Sequence, residues 1–291
     1  MCGIAGLHLR SDALSPRLGA LTAGMLRQLA DRGTDSAGVA VYGDVRYSAP
    51  PGGSVVGVLA APEQLADLGA VAELVPAGPT TVLRSALGSR ELLAAVQDAC
   101  PDVTITSWGR DSVVLKGAGN PTALLDQFGL DTATGWQAVG HTRMATESAV
   151  TAAGSHPFSA GADICLVHNG SFSNHATIRR ELQADGVQFD SDNDSEVGAR
   201  FIAHELAAGA DLDKALRALC ERFDGFYTLL VATEDSFAVV RDAIACKPAV
   251  IAETTEWVAM ASEYRALTGL PGIENALIFE PEPEEVYTWK R

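Results

Sequence analysis

The chain has 291 residues, 47% hydrophobic and 20% charged, a globular composition with room for one large domain or two small ones. Its net charge of −16 argues against nucleic acid and anionic membrane surfaces as partners, because both are met by clustered Lys and Arg. No apolar run reaches the roughly 18 residues of a membrane span, and the N-terminus lacks the basic and apolar regions of a signal peptide. In chain order, Gly3–Leu9 reads as a short buried strand. Ser15-Pro16 reads as an N-cap followed by proline at the first helical position, with Leu18, Leu21, Met25 and Leu29 at helical spacing behind it. Arg32-Gly33 stops that helix, and residues 39–42 read as another strand. From 49 to 135 the character changes. Pro50-Pro51-Gly52-Gly53 opens a stretch in which short apolar runs alternate with helical segments at 91–99 and 122–128. This is read as an inserted subdomain, and it carries no chemistry-bearing cluster. After Trp136, residues 164–167 form a buried strand ending in His168-Asn169-Gly170. A helix capped by Ser173 or Asn174 and stopped at Gly186 follows, then helices over 194–208 and 211–222. Strand-like runs at 226–232, 237–241, 249–252 and 257–261 predict an antiparallel sheet.

The five cysteines are Cys2, Cys100, Cys165, Cys220 and Cys246. They are odd in number, widely spaced and contain no Cys-x-x-Cys, which predicts no disulfide framework, no zinc site and a reducing cytoplasm. Cys165 and Cys246 are read as buried small hydrophobes. Cys2 stands apart. If the initiator Met1 is removed, Cys2 carries a thiol beside its own α-amine, which titrates at roughly 7.7 to 8.0. One residue then supplies both a nucleophile and a general base.

Four polar clusters stand out downstream. They are Arg32-Gly33-Thr34-Asp35-Ser36-Ala37-Gly38, Gly140-His141-Thr142-Arg143-Met144-Ala145-Thr146, His168-Asn169-Gly170 and Ser191-Asp192-Asn193-Asp194-Ser195-Glu196. Taken singly, each is accounted for by ordinary turn and cap chemistry: Asn-Gly is a common turn, and an acidic first turn suits the helix dipole. Taken in order with Cys2-Gly3-Ile4-x-Gly6, His156-Pro157-Phe158, Arg241-Asp242, Lys247-Pro248 and Ala261-Ser262-Glu263, they carry more than that. In this order and spacing, from Cys2 to about Gly43 and from Trp136 nearly to the end, the chain resembles a class II glutamine amidotransferase of the N-terminal-nucleophile hydrolase type. The wording of residues 140–151 is similar to stand-alone amidotransferase subunits of glutamate-synthase-like and N-methylglutamate-synthase-like systems. Two departures fall on turns: Ala243-Ile244-Ala245-Cys246 replaces a usual glycine after Arg-Asp, and Pro283-Glu284-Glu285 replaces Pro-Gly-Glu.

The resemblance implies an α+β fold, a four-layer αββα sandwich with two antiparallel sheets over residues 2–291 and the 49–135 insertion within it. It implies that Cys2 attacks the glutamine side-chain amide to give a γ-glutamyl thioester, with Asn169 and Gly170 as oxyanion donors. Arg143 is suited to the substrate carboxylate by its planar fork, and Asp194 to the ammonium. Thr146 and His156 line the same pocket, while Arg32 and His141 are structural. No step needs a metal or cofactor. Three functions follow: a glutaminase subunit handing ammonia to a partner, a self-sufficient γ-glutamyl amide hydrolase, or a non-catalytic glutamine-sensing subunit. Arg143 with Asp194 favours an amino-acid substrate, and intact Cys2, Asn169 and Gly170 count against the sensor. With no synthase domain before Arg291, the acceptor site is expected on a glutamate-synthase-like partner carrying any flavin or iron–sulfur cluster.

Overall fold

The computed structural model describes residues 2–144 and 149–291; Met1 and Thr146, the latter expected in the glutamine pocket, lie outside the described residues. The first half of the chain builds β1 (Gly3–Leu9), α1 (Leu18–Gln28), β2 (Ser36–Tyr42), β3 (Ser54–Leu59), β4 (Glu73–Ala77), β5 (Thr80–Ser85), α2 (Ser89–Ala99), β6 (Thr104–Gly109), β7 (Ser112–Ala118) and α3 (Pro121–Gln127). The second half builds β8 (Gln137–Arg143), β9 (Phe158–Gly161), β10 (Ile164–Phe172), α4 (His175–Ala184), α5 (Asp194–Ala207), α6 (Leu212–Arg222), β11 (Gly225–Ala232), β12 (Ser236–Arg241), β13 (Val250–Glu253), β14 (Trp257–Ala261), β15 (Leu277–Phe279) and β16 (Tyr287–Lys290). Among the described residues no helix is long and apolar enough to cross a membrane.

Two antiparallel sheets stack face to face. One runs β15-β13-β14-β1-β8-β2-β7 and the other β16-β12-β11-β10-β9. Period-two alternation along the strands decides which side chains fill which layer. In β1, Ala5, Leu7 and Leu9 face α1 and α3, while Ile4 joins Val167, Leu230, Phe237 and Val239 between the sheets. In β11, Leu230 and Ala232 fill that inter-sheet layer, and Tyr227, Leu229 and Val231 face α4, α5 and α6. The result is the four-layer αββα sandwich, each sheet covered on its outer face by helices.

The interior stretch divides between two structures. β4-β5-β3-β6 form a separate four-stranded sheet whose Val56, Val58 and Leu83 pack on Leu92 and Val96 of α2. The other face of that sheet is not free, because Val55 and Val82 enter the core under α1 and α3. β7 pairs with β2 as an edge strand of the seven-stranded sheet, in register from Ser36↔Ala118 to Tyr42↔Ser112.

Local expectations change in three places. Pro16 lies inside a 3-10 turn (Asp12–Arg17), and α1 begins at Leu18 without a side-chain cap. Ser15 Oγ instead accepts from Gly135 N–H at 3.3 Å, so the hydroxyl ties two segments together. Asn174 occupies the N-cap position of α4 but spends its amide on Arg222 and Asp224 at the far end of α6 (2.8 and 3.0 Å). His168-Asn169-Gly170 do not end their strand: pairing with β11 continues through Phe172↔Gly225.

Asp163 fastens the β6–β7 turn to the five-stranded sheet. Its buried carboxylate accepts the N–H groups of Arg110 (2.8 Å), Asp111 (3.0 Å) and Ser112 (2.8 Å). Removing the carboxylate strands donors that cost about 1–3 kcal/mol each when buried and unpaired. Asp163→Ala is therefore expected to lose about 3 kcal/mol or more in urea unfolding, with Asp163→Asn losing less. Equal stability in both variants would contradict this role.

Candidate active site

Cys2 sits at the head of β1, an inner strand, where β8 and β14 flank it. Gly3 pairs with Thr142 on one side. On the other, Ser262 is a staple: its Oγ accepts from Ile4 N–H (2.9 Å) and its N–H donates to the Ile4 carbonyl (2.9 Å). The backbone around the thiol is therefore fixed before any side chain acts.

Arg32 holds the same point from below. Its Nε donates to the Cys2 carbonyl at 3.0 Å, and its guanidinium pairs with Glu263, which also binds Arg265 at 2.6 Å. The Arg32 side chain keeps the Glu263 carboxyl below the usual carboxylate range. Gly33, next in sequence, allows this approach, since a Cβ there would lie 2.5 Å from the Thr142 and Arg143 backbone. Ser262 and Glu263 were visible in the sequence only as a late motif; their work at Cys2 needs the β1–β14 pairing.

Asn169 reaches across from the second sheet, its Nδ2 donating to the Cys2 carbonyl at 3.5 Å. Gly170 follows at φ 153, a conformation that side chains rarely adopt, and a Cβ there would lie 2.0 Å from the Phe226 carbonyl oxygen. The half-buried Cys2 thiol lies 3.8 Å from the Met144 carbonyl oxygen. Arg143, the last residue of β8, is buried, and its Nη1 donates to the Ala149 carbonyl at 3.3 Å. Asp194 opens α5, and its Oδ2 accepts from Phe172 N–H at 2.8 Å. The structure thus gathers Cys2, Arg32, Arg143 and Asn169 at one end of the sandwich and ties Asp194 to the strand that carries Asn169 and Gly170.

His141 and His156 lie behind this pocket. Their rings are 4.3 Å apart, and the His168 ring is 6.4 Å from His156. Burial pushes His141 down to about 3 and His168 to about 4, and holds His156 well below its usual value. All three are neutral imidazoles at neutral pH. His156 is enclosed among rings, edge-on to Phe158.

The sequence reading placed nothing chemical in the interior stretch, yet Lys116 of β7 reaches this region. Its enclosed Nζ donates to the carbonyls of Ala153 (3.1 Å) and Ser155 (2.9 Å) and lies 4.9 Å from the Phe158 ring centre. Burial pushes its ammonium down to about 8. It braces the turn whose other end meets Arg143. The signal available in the sequence was a single lysine inside Val113-Val114-Leu115-Lys116-Gly117.

The two departures from the family text keep their turns. Ala245 (φ 51) and Glu284 (φ 61) adopt left-handed backbone where glycine is usual. Arg241 compensates by donating to the Pro281 (3.2 Å), Ala245 and Lys247 (2.9 Å) carbonyls, and Asp242 caps Ile244 N–H at 2.7 Å. This loop turns Cys246 outward, so Cys246 is exposed rather than buried, whereas Cys165 is buried with its thiol pushed up to about 12. As for metals, the Asp111, Asp163 and Glu234 carboxylates converge within 4.8 Å, at the opposite end of β10 from Asn169. Asp163 already spends its oxygens on backbone N–H groups.

A cysteine heading an inner strand of an αββα sandwich agrees with the resemblance to the glutamine amidotransferases. Comparison with known proteins agrees. The glutamine amidotransferase domain family matches residues 141–269. Glutamine amidotransferase-like protein GlxB of Rhizobium meliloti (strain 1021) is 46% identical over 302 residues, covering 99% of this chain and 98% of that protein. A putative glutamine amidotransferase of Methanothermobacter thermautotrophicus is 30% identical over 313 residues, covering 99% of each. The chain belongs to the glutamine amidotransferase family. Glutamine phosphoribosylpyrophosphate amidotransferase from B. subtilis, solved with ADP and GMP, superposes with a TM-score of 0.63 at 18% identity. That likeness concerns the fold, and this chain, covered over 99% of its length, spans 49% of that one.

Proposed function

We propose that the chain hydrolyses glutamine to glutamate and ammonia through a γ-glutamyl thioester on Cys2, and delivers the ammonia to a glutamate-synthase-like partner subunit. The observation that carries this reading is the convergence on Cys2, whose carbonyl is held by Arg32, with Ser262 holding the Ile4 backbone two residues on, while the Asn169 amide approaches from the facing sheet. With Met1 removed, the α-amine takes the thiol proton. The thiolate then forms an S–C bond to the side-chain carbonyl carbon of glutamine. Asn169 Nδ2–H and Gly170 N–H hold the resulting oxyanion. Collapse breaks the C–N bond, and the α-ammonium returns its proton to the departing ammonia. Water then cleaves the thioester, releasing glutamate and restoring the thiol. Arg143 holds the substrate α-carboxylate and Asp194 the α-ammonium.

These roles separate in kinetics. Asn169→Ala is expected to lower kcat by about 10²- to 10³-fold with little change in KM, because its donor serves the transition state. Arg143→Ala should raise the glutamine KM at least tenfold, the loss of a charge-assisted contact, with a smaller fall in kcat through mispositioning. Unchanged glutamine kinetics in Arg143→Ala would remove it from the pocket. Ammonia delivery is tested by co-purification of the native chain: glutaminase activity should rise when the co-purifying subunit and its acceptor are present. High hydrolysis by the isolated chain, unaffected by such proteins, would favour a self-sufficient hydrolase. Deleting the interior sheet is a poor test, because Val55 and Val82 belong to the main core.

A further inference from the structure

We infer that Ser195 and His168 are positioning residues for the substrate ammonium, a hydrogen-bonded strut that sets the Asp194 carboxylate from the strand carrying the oxyanion donors. This rests on the reading of Asp194 as the ammonium site.

The chain of contacts is short. Ser195 Oγ lies 3.3 Å from Asp194 Oδ1 and 2.8 Å from His168 Nδ1. A hydroxyl has one proton, and an ionised carboxylate can only accept. Ser195 therefore donates to Asp194 and accepts from His168 Nδ1–H, which fixes the imidazole tautomer. The other carboxylate oxygen accepts from Phe172 N–H at 2.8 Å. Both oxygens are thus referred to β10, within a stretch of five residues, 168–172, that includes Asn169 and Gly170.

Helix capping does not explain the Ser195 hydroxyl. The cap of α5 is Asn193, whose side chain accepts from Ser195 N–H at 2.9 Å. His168 in turn is locked in place, stacked on Phe172 with ring centres 4.3 Å apart and 3% exposed. Its neutral state keeps the Nδ1–H donor present throughout the neutral range. Without the strut, Asp194 is a side chain at a helix start with one anchor. With it, the ammonium site and the oxyanion site keep a fixed separation, which is what places the glutamine amide over Cys2.

The test compares glutamine with 4-carbamoylbutanoate, the same amide without the α-ammonium, on the full chain together with any subunit it requires. Ser195→Ala should raise the glutamine KM about tenfold, the size of one hydrogen bond to a charged group, with kcat within about twofold of wild type. On 4-carbamoylbutanoate the same variant should match wild type, because Asp194 has nothing to bind. His168→Asn keeps a donor near the Nδ1 position and should hold the glutamine KM closer to wild type than His168→Gln, whose donor falls near Nε2. Equal losses on both substrates, a fall in kcat alone, or an unchanged glutamine KM in Ser195→Ala would each overturn the strut. Asp194→Ala keeps the underlying reading separate: if it fails to discriminate between the two substrates, the ammonium assignment itself is wrong. Thermal unfolding of each variant removes those that fail to fold, and Ser195→Ala, a loss of one oxygen, carries the decision.

Discussion

Cys2→Ala is expected to eliminate glutamine hydrolysis, by about 10⁴-fold or more, while the unfolding transition should stay where it is in wild type. On the proposed mechanism, the activity loss follows from removing the sulfur that forms the thioester. The stability is kept because the thiol is half-buried and its hydrogen-bond contact, the Met144 carbonyl oxygen, is 3.8 Å away. What fixes this part of the chain is the Cys2 carbonyl and the Ile4 backbone, which alanine leaves intact. A 6-diazo-5-oxo-norleucine-type glutamine analogue should label Cys2 alone. Cys246 is the internal control, since it is exposed, and Cys165 is buried with its thiol held protonated. Intact mass of the labelled enzyme reads the second half of the mechanism. With Met1 retained, the Cys2 nitrogen is an amide whose lone pair is delocalised into the carbonyl and cannot act as base, so full activity with Met1 quantitatively retained would sink the thiol–amine mechanism. Labelling of Cys246 would send the search for the nucleophile elsewhere.

Between pH 6.5 and 5 the protein is expected to lose stability steeply, at a slope of up to about 4 kcal/mol per pH unit. The source is the buried imidazole cluster of His141, His156 and His168. In the unfolded chain each takes a proton near pH 6.5. In the folded protein burial holds His141 to about 3 and His168 to about 4, with His156 also well below its usual value. The unfolded state therefore binds more protons over this window. Stability is complete above pH 6.5 and is lost as pH falls towards 4. The slope corresponds to three protons at about 1.4 kcal/mol each per unit, large against a typical total of about 5–15 kcal/mol. Neighbouring charges act mostly in the same direction: Arg143 on His141, Lys116 and Arg143 on His156, and Lys247 on His168, with Asp194 alone opposing. Urea unfolding at a series of pH values measures the slope, and His141→Gln should reduce it by about one proton, about 1.4 kcal/mol per unit. Equal stability at pH 7 and pH 5 would mean that the three rings are solvated and titrate normally.

The sequence by itself determined the local chemistry and most of the short elements. The 3.6-residue spacing of Leu18, Leu21 and Met25 marks one apolar helix face, whereas β1 and β11 are apolar on both faces and read only as buried strands; the four layers were implied by the family resemblance. The order of the polar motifs carried the family resemblance, and with it Cys2 as a thiol, Asn169 as a side-chain amide donor and Gly170 as a backbone N–H donor. The tertiary structure alone decided which distant residues share a site. Ser262 and Glu263 act at Cys2 only because β14 pairs with β1, some 260 positions away in the chain. Lys116 reaches the Ala153–Ser155 turn only because β7, within a stretch that reads as an insertion, is an edge strand of the main sheet. The non-glycine turns at Ala245 and Glu284 survive because Arg241 and Asp242 bind their backbone, a compensation that local propensity cannot express. Periodicity and motif order report what each residue is and which way it faces. Register between strands remote in sequence fixes what it touches, and hydrogen bonds across that register complete the site.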